Sequence, residues 1–261
     1  NIINLSNPSP YNGGGLNFGT IVEVYGPSKG GKSTFVYQTA SYLLRDYGED
    51  ARIVIMAVEG WPNASRLRMA FGVDIEDDPR VIVEHTATIE QSNDVILRYA
   101  KEAKEKDIKT IIIWDSISAS SFNRAKEAID ASIGVESAKK HEDYVDSSKR
   151  ETGDGKEAQR GMTEPMARAQ VLKWCLNNAL HACYRAPVTV LLINQITSKV
   201  NQFNVSIDSG GGHALRHNVE ERIRIDFVKN IGGDGKGDLY KTGTLSKVTI
   251  VKSRNVPCFQ D

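Results

Sequence analysis

Short apolar runs recur along the chain and are separated by stretches with helical periodicity. The runs are continuous and rich in Val and Ile, which is typical of strands buried on both faces of a parallel sheet. They predict strands at residues 20–25, 53–58, 81–83, 109–114 and 188–193. Apolar side chains that return every three or four positions predict helices at residues 35–47, 92–104 and 164–184. This alternation predicts an α/β fold, with helices on both faces of a mostly parallel, twisted sheet.

The last part of the chain follows a different pattern. Residues 222–227 and 247–252 alternate between apolar and polar side chains with a period of two. We expect these two segments to add antiparallel strands at the edge of the sheet. The glycine-rich residues 232–237 then form a hairpin-type connection between them.

Two segments interrupt this organisation, which otherwise fits one domain over residues 1–261. Residues 124–161 are dense in mixed charge and poor in large apolar side chains, so they cannot bury much core. We interpret them as a partly helical, mobile insertion with solvated charges. A binding role is the second interpretation. Residues 197–212 are polar and end in three glycines, which predicts a flexible loop between two buried strands.

Composition narrows the classes of function. With 40% hydrophobic and 25% charged residues, the 261-residue chain is typical of a globular protein with a substantial core. Basic and acidic residues number 33 each, so the formal net charge is zero and any site for a polyanion must be local. Three cysteines without a C-x-x-C pair argue against a disulfide framework and a zinc site, and fit a reducing cytosol. No stretch is apolar enough to predict a membrane span.

The most informative motif follows the first predicted strand. Its spacing fits G-x-x-x-x-G-K-[ST], a loop whose backbone amides cradle phosphates at the start of a helix. Strand, loop and helix occur in the required order, so the motif predicts nucleotide binding. Lys32 is expected to reach the β- and γ-phosphates, and the Ser33 hydroxyl to bind Mg²⁺. The predicted loop consists of Gly26, Pro27, Ser28, Lys29, Gly30, Gly31, Lys32, Ser33 and Thr34.

Three polar residues end other predicted strands, where they would lie beside this loop. Asp115 follows the apolar run 110–114 and is a candidate Mg²⁺ ligand through the metal's water shell; capping of the next helix is the alternative. Glu59 is a candidate general base toward the water that attacks the γ-phosphate, or equally an ordinary acid at a strand end. Gln195 is a candidate γ-phosphate sensor that couples nucleotide state to the loop after it, although such amides are also common in turns.

Together these residues resemble the core of the RecA-type homologous-recombination ATPases. The resemblance covers nearly the whole chain. Asp115-Ser116 matches the family's second nucleotide motif, and Glu59 lies where the family has its catalytic glutamate. The segment 192–196 matches the strand and glutamine that begin the family's second DNA-binding loop, and residues 211–215 resemble the exit from that loop.

The resemblance implies a RecA-like P-loop ATPase that forms a helical filament on single-stranded DNA and pairs it with double-stranded DNA. ATP and Mg²⁺ would be held between subunits, with Lys252 and Arg254 of one subunit reaching the γ-phosphate bound by its neighbour. Arg66 lies near the position of the family's adenine-stacking aromatic residue, so its guanidinium plane or its stem would contact the base. The implied location is a bacterial cytoplasm, at the nucleoid or during phage infection.

The DNA contacts implied by the resemblance lie mainly in the 197–212 segment. Phe203 is of interest because an apolar side chain in a polar loop can stack on bases or wedge between them, although it can equally anchor the loop to the core. Arg168 lies on the long helix that follows the family's first DNA loop. The candidate DNA-binding residues are Lys199, Asn201, Phe203, Asn204, Arg216 and Arg168.

Two other functions are compatible with the same motifs. A hexameric DNA helicase or translocase would use the same ATP site in a closed ring. A nucleotide-switched regulator would bind ATP and exchange partners with little hydrolysis. The pairing of Gln195 with the basic residues Lys252 and Arg254 favours the recombination ATPase over both alternatives.

Overall fold

The computed structural model describes residues 16–72, 78–123, 164–201, 204–210, 212–232 and 243–253. Its strands are β1 Thr20–Gly26, β2 Ala51–Ala57, β3 Val81–His85, β4 Lys109–Asp115, β5 Val188–Asn201, β6 Asn204–Ser209, β7 Glu221–Ile231 and β8 Gly243–Lys252. Its α-helices are α1 Lys32–Tyr47, α2 Ala64–Phe71, α3 Ile89–Lys106, α4 Glu164–Cys183 and α5 Gly212–Asn218.

The strands form one sheet in the order β3-β2-β4-β5-β1-β7-β8, and β6 pairs with the end of β5. Neighbouring strands from β3 to β7 pair in parallel, while β8 runs antiparallel to β7. This confirms the predicted α/β class with a mostly parallel sheet. The predicted antiparallel pair at the sheet edge is also confirmed: β7 pairs antiparallel with β8, while its other side pairs in parallel with β1. The last five residues of β7 are exposed to solvent.

Helices cover both faces of the sheet, as the periodicity predicts. On one face, α1 and α2 bury Val36, Leu43 and Leu67 against the inward side chains of β1, β2 and β4. On the other face, α3, α4 and α5 form a second apolar core with Trp114 of β4. Adjacent residues of each central strand therefore contribute to opposite cores, which explains why these strands are apolar throughout.

A capping box sets the start of α3 three residues earlier than the apolar pattern predicts. The Thr88 side chain accepts from the backbone amide of Gln91, and the Gln91 side chain accepts from the backbone amide of Thr88. These reciprocal bonds satisfy two amides that have no partner within the helix. At the other end Asp107 adopts a left-handed conformation, with φ of 53°, and stops the helix.

The segment predicted as a flexible loop at residues 197–212 is instead a β-hairpin followed by the start of α5. β5 continues to Asn201 and pairs with β6 in antiparallel register, with Val200 opposite Val205 and Asn201 opposite Asn204. β-Branched residues at positions 197, 200, 205 and 207 favour extended strands, and this signal outweighs the polar composition. The charged segment 124–161 and most of the 232–237 connection lie outside the described residues.

In the described part of the chain, no helix combines the length and apolar character needed to cross a membrane. Cys175 and Cys183, both on α4, are buried free thiols. Burial raises the pKa of Cys183 to about 12, so this thiol is held in its protonated, unreactive form.

Glu221, the first residue of β7, has a buried carboxyl group. Its side chain is 3% exposed, and Oε2 has no hydrogen-bond partner among the described residues. Burial and the neighbouring charge of Glu220 raise the pKa of Glu221 to about 7, against the effect of a hydrogen bond with Ser253. The fold therefore favours the neutral acid at this position.

We predict that Glu221→Gln stabilises the protein in a pH-dependent manner. The unfolded chain ionises this group near pH 4.5 and the folded protein near pH 7, so the stabilisation from its neutral form is lost as the pH rises between these values. The gain in free energy of unfolding should be about 2–3 kcal/mol larger at pH 8 than at pH 5, measured by urea denaturation. The exposed Glu105→Gln on α3 is the matched control, and a gain that is equal at both pH values would contradict the prediction.

Candidate functional site

The loop between β1 and α1 has a backbone that requires glycine at two positions. A Cβ atom on Gly26 would lie 2.0 Å from the carbonyl oxygen of Ile225 in β7, so no other residue fits where the two strands meet. Gly31 precedes α1 with φ of 92°, in the left-handed region that favours glycine. The loop thereby turns directly from the end of β1 into the first turn of α1, where backbone amides are available to an anion.

Side chains hold this loop from both ends. The Ser246 hydroxyl of β8 donates to the carbonyl of Gly30 at 2.8 Å, and Lys32 Nζ donates to the carbonyl of Pro27 at 2.8 Å. Burial lowers the pKa of Lys32, while the carboxylates of Asp115 and Glu59 act in the opposite direction. A phosphate beside the loop would replace the carbonyl as the partner of this buried cation.

Two carboxylates face the loop from neighbouring strands. Asp115 ends β4, and Glu59 follows the end of β2, so the parallel pairing of these strands brings both to one edge of the sheet. The Tyr37 hydroxyl donates to Asp115 Oδ2 at 3.0 Å, and the Ser116 hydroxyl donates to Glu59 Oε1. They border a cleft of about 190 Å³ lined by Ser33, Tyr37, Ile55, Ala57, Glu59, Gly60, Trp61, Pro62, Asn63 and Asp115.

Gln195 lies beside the loop because of the register between β1 and β5. It is paired with Gly26, the first residue of the predicted motif. Its backbone amide donates to the side-chain oxygen of Asn194 at 2.9 Å, and its carbonyl accepts from the amide of Gly210 at 3.2 Å. The strand continues from Gln195 directly into the β5–β6 hairpin, so one backbone joins the loop edge to the hairpin.

A buried polar network lies under the base of this hairpin. Glu23 of β1 accepts from Arg222 Nε at 2.6 Å and from the Asn194 amide at 2.9 Å. The same arginine donates to the Ser209 hydroxyl, the last residue of β6, at 2.8 Å. Its guanidinium also lies 4.7 Å from the centre of the Tyr25 ring. This network therefore joins β1, β5, β6 and β7 in a region closed to solvent.

The other predicted site residues are distributed around this edge. Lys252 Nζ donates to the carbonyls of Arg216 and Val219, both at 2.6 Å, where α5 ends. Arg168 donates to the carbonyl of Ile117 at 2.7 Å and so fastens α4 to the turn after β4; burial lowers its pKa. Neither Lys252 nor Arg168 is among the residues that line the cleft.

Some of the remaining predicted residues lie in described elements, and two lie outside the described residues. Lys199, Asn201 and Asn204 lie on the hairpin strands, and Arg66 lies on α2 close to the cleft-lining residues 59–63. Ser28, Lys29 and Thr34 are exposed along the loop and the first turn of α1. Phe203 and Arg254 lie outside the described residues.

The residues that support the site are not predicted by the sequence patterns. Tyr37 and Ser116 touch the candidate carboxylates, yet the sequence pattern makes Tyr37 an ordinary core position on α1. Its position four residues after Ser33 was the available signal, because residues so spaced share a helix face. Glu23 was visible as a charge inside an otherwise apolar strand, whereas Arg222 is one of several charges in the alternating strand β7. A charge in a buried strand predicts a partner, but not which one.

The cleft suits a magnesium-bound phosphate group. Mg²⁺ prefers oxygen ligands, and usually takes only one or two from the protein with phosphate and water as the others. A hydroxyl at Ser33 and a carboxylate at Asp115 supply such oxygens in the lining of the cleft. Among the described residues no cluster of three or more His, Cys, Asp or Glu could hold a metal alone. The first turn of α1 carries no acidic residue that would repel an anion.

A mostly parallel sheet with this loop between its first strand and first helix defines an α/β protein of the phosphate-loop class. The chain is 25% identical over 249 residues to Protein RecA of Acinetobacter baumannii, which covers 95% of this chain and 58% of that protein. It is 24% identical over 248 residues to Protein RecA of Bordetella pertussis, again over 95% and 58%. The chain thus spans little more than half the length of these curated relatives, and no family model matches it. The similarity to RecA extends over nearly the whole of this chain.

We predict that Arg222→Met costs about 3–5 kcal/mol in free energy of unfolding, because it leaves the Glu23 carboxylate buried without its ionic partner. The double variant Glu23→Gln/Arg222→Met should recover more than about 1 kcal/mol of this loss, since no charge then stays buried. Urea denaturation of the three proteins measures both values.

The matched control is Arg45→Met, since the Arg45 and Asp46 side chains are 66% and 53% exposed. It should leave the free energy of unfolding nearly unchanged, because exposed ion pairs contribute little. A loss for Arg222→Met as small as that of the control would show that the buried pair does not stabilise the fold.

Proposed function

We propose that this chain is a RecA-like, DNA-dependent ATPase of homologous recombination, which assembles on single-stranded DNA and exchanges strands with double-stranded DNA. The observation that carries the proposal is the continuity of β5. Gln195 lies opposite Gly26, the first residue of the loop between β1 and α1. The same strand continues for six more residues as the first strand of the β5–β6 hairpin. A change at the loop can therefore be transmitted along one backbone to a candidate DNA-binding element.

ATP and Mg²⁺ are the proposed ligands of the cleft. Residues 26–34 would hold the phosphates through backbone amides and Lys32, while Ser33 and Asp115 would hold the metal. When bound, Mg²⁺ neutralises charge that develops on the phosphate oxygens. Arg66 on α2 is the proposed contact to the base.

Glu59 is the proposed general base. Its carboxylate lines the cleft, and the hydrogen bond from Ser116 restricts its rotation while leaving the group in reach of a water molecule. It would take a proton from that water as the water attacks the terminal phosphate. Gln195 would hydrogen-bond the terminal phosphate and release it after hydrolysis, which would alter the base of the hairpin.

The β5–β6 hairpin and its surroundings are the proposed DNA-binding element. Lys199, Asn201 and Asn204 lie on it, Phe203 falls between its two strands in the sequence, and Arg216 follows on α5. Basic and amide groups contact DNA phosphates, and an aromatic side chain can stack on an unpaired base. Arg168 remains a proposed DNA contact only if it leaves the carbonyls of Ile117 and Ser120 that it now binds.

Lys252 and Arg254 are proposed to act on the nucleotide of a neighbouring chain. Lys252 is paired with Arg222, and its ammonium group points to the end of α5, on the face opposite α1. While it holds these carbonyls, it is directed away from the phosphate loop of its own chain. A phosphate in its reach would therefore belong to a second copy, as in a filament with ATP at each seam.

We predict that single-stranded DNA stimulates ATP hydrolysis by this chain at least about tenfold, and that Lys32→Ala and Glu59→Gln each lower the stimulated rate by about 10²-fold or more. Glu59→Gln should retain nucleotide binding, because it removes the base and keeps the volume. Steady-state hydrolysis with and without single-stranded DNA measures the rates.

Lys104→Ala on the exposed side of α3 is the control and should leave the rate unchanged. Binding to DNA should also weaken as salt rises, because DNA phosphates release counterions on contact. Slow hydrolysis without any response to DNA would contradict the proposal, and closed rings rather than filaments in electron micrographs would contradict strand exchange.

A subunit-mixing experiment tests the shared seam. Lys32→Ala damages the phosphate loop, and Lys252→Met damages the donor in trans while keeping an unbranched stem. Neither variant should hydrolyse ATP by itself, but a 1:1 mixture should recover up to about a quarter of the wild-type rate, because a random assembly pairs an intact loop with an intact Lys252 at that frequency. A mixture that stays as inactive as its components would show that Lys252 does not act across chains.

A further inference from the structure

We infer that Tyr37 is a positioning residue for the metal site, since its hydroxyl fixes the carboxylate of Asp115 in the orientation that binds the water shell of Mg²⁺. This inference rests on the proposed function, because it assigns a role in the same nucleotide cleft. The observation that carries it is the hydrogen bond from Tyr37 Oη to Asp115 Oδ2, which is 3.0 Å long.

The position of Tyr37 on α1 ties the two metal candidates to one helix. Ser33 and Tyr37 are four residues apart and line the same cleft, so one face of α1 presents both a hydroxyl for the metal and a hydroxyl for Asp115. The loop between β1 and α1 fixes where α1 begins. The start of α1 in turn fixes the position of Tyr37 along the helix axis relative to the end of β4. The start of α1 therefore positions Ser33 and Tyr37 together relative to Asp115.

The Tyr37 side chain is held on several sides. It is 2% exposed, belongs to the apolar core between α1 and the sheet, and lies with its ring centre 6.3 Å from that of Phe71 on α2. A buried phenol has few alternative rotamers, so its hydroxyl is a fixed donor. A carboxylate rotates easily about its last torsion, and a fixed donor to one oxygen restricts this rotation.

Restriction of this kind matters for Mg²⁺ in particular. The ion demands near-octahedral geometry and keeps several waters, so a carboxylate that binds those waters must be held in place. Hydrogen bonds that orient metal ligands typically change metal affinity by about 10- to 100-fold when removed. We expect the lower end of this range, because Asp115 would bind through water.

Tyr37→Phe tests the inference, because it removes the hydroxyl and keeps the buried ring. Binding of a fluorescent ATP analogue is titrated against Mg²⁺ for the wild-type chain and the variant, and repeated in excess EDTA. The half-saturating Mg²⁺ concentration should rise about tenfold in the variant, while metal-free binding of the analogue stays the same. Unchanged metal-free binding shows that the cleft is folded, and a purely structural role would not separate the two readouts.

Tyr42→Phe on the same helix is the matched control, since the Tyr42 ring contacts the Arg45 guanidinium and does not line the cleft. It should leave the Mg²⁺ midpoint unchanged. An unchanged or lower midpoint in Tyr37→Phe, with a normal Mg²⁺ response in the wild-type chain, would overturn the role of Tyr37 and leave the proposed function standing. A wild-type chain that binds no nucleotide at any Mg²⁺ concentration would overturn both.

Discussion

The parallel pairing of β1 with β5 on one side and β7 on the other constrains the rest of the site. Gly26 must lack a side chain because the backbone of Ile225 passes so close to it, and the same residue is in register with Gln195. The end of β1 is thus fixed by main-chain contacts on both sides before any side chain is considered. The direction of α1 and the start of the hairpin follow from that fixed point.

The Glu23–Arg222 pair and Asn194 also hold β1, β5 and β7 together through side-chain contacts. Ionic groups in a closed interior are tolerated when each has partners, and here four strands supply them. Apolar side chains in this place could pack in many ways, whereas each group of this network requires a particular partner. We therefore interpret the network as a feature that specifies the strand register at the base of the hairpin. Asn194 precedes Gln195 directly, so the strand that carries the proposed phosphate sensor is also held by this network.

The sequence predicts most of the sheet and the loop between β1 and α1, but not the side-chain contacts that support them. Strands such as 109–114 are predicted because burial on both faces leaves a continuous apolar run, and the loop because its glycines follow a strand and precede a helix. The polar composition of residues 197–212 predicts a loop, because it obscures the β-branched positions that favour the strands of the hairpin. The contact of Tyr37 with Asp115 spans 78 residues of sequence. Contacts of that range depend on how helices lie on the sheet, which local patterns do not specify.

The three tryptophans of the chain occupy three different environments. Trp61 is 68% exposed and lines the cleft beside Glu59, Trp114 is fully buried in the sheet, and Trp174 packs partly against the core on α4. Exposed indoles emit at longer wavelength and meet dissolved quenchers far more readily than buried ones. The fluorescence of Trp61 therefore reports on the cleft and can be followed in the unlabelled protein.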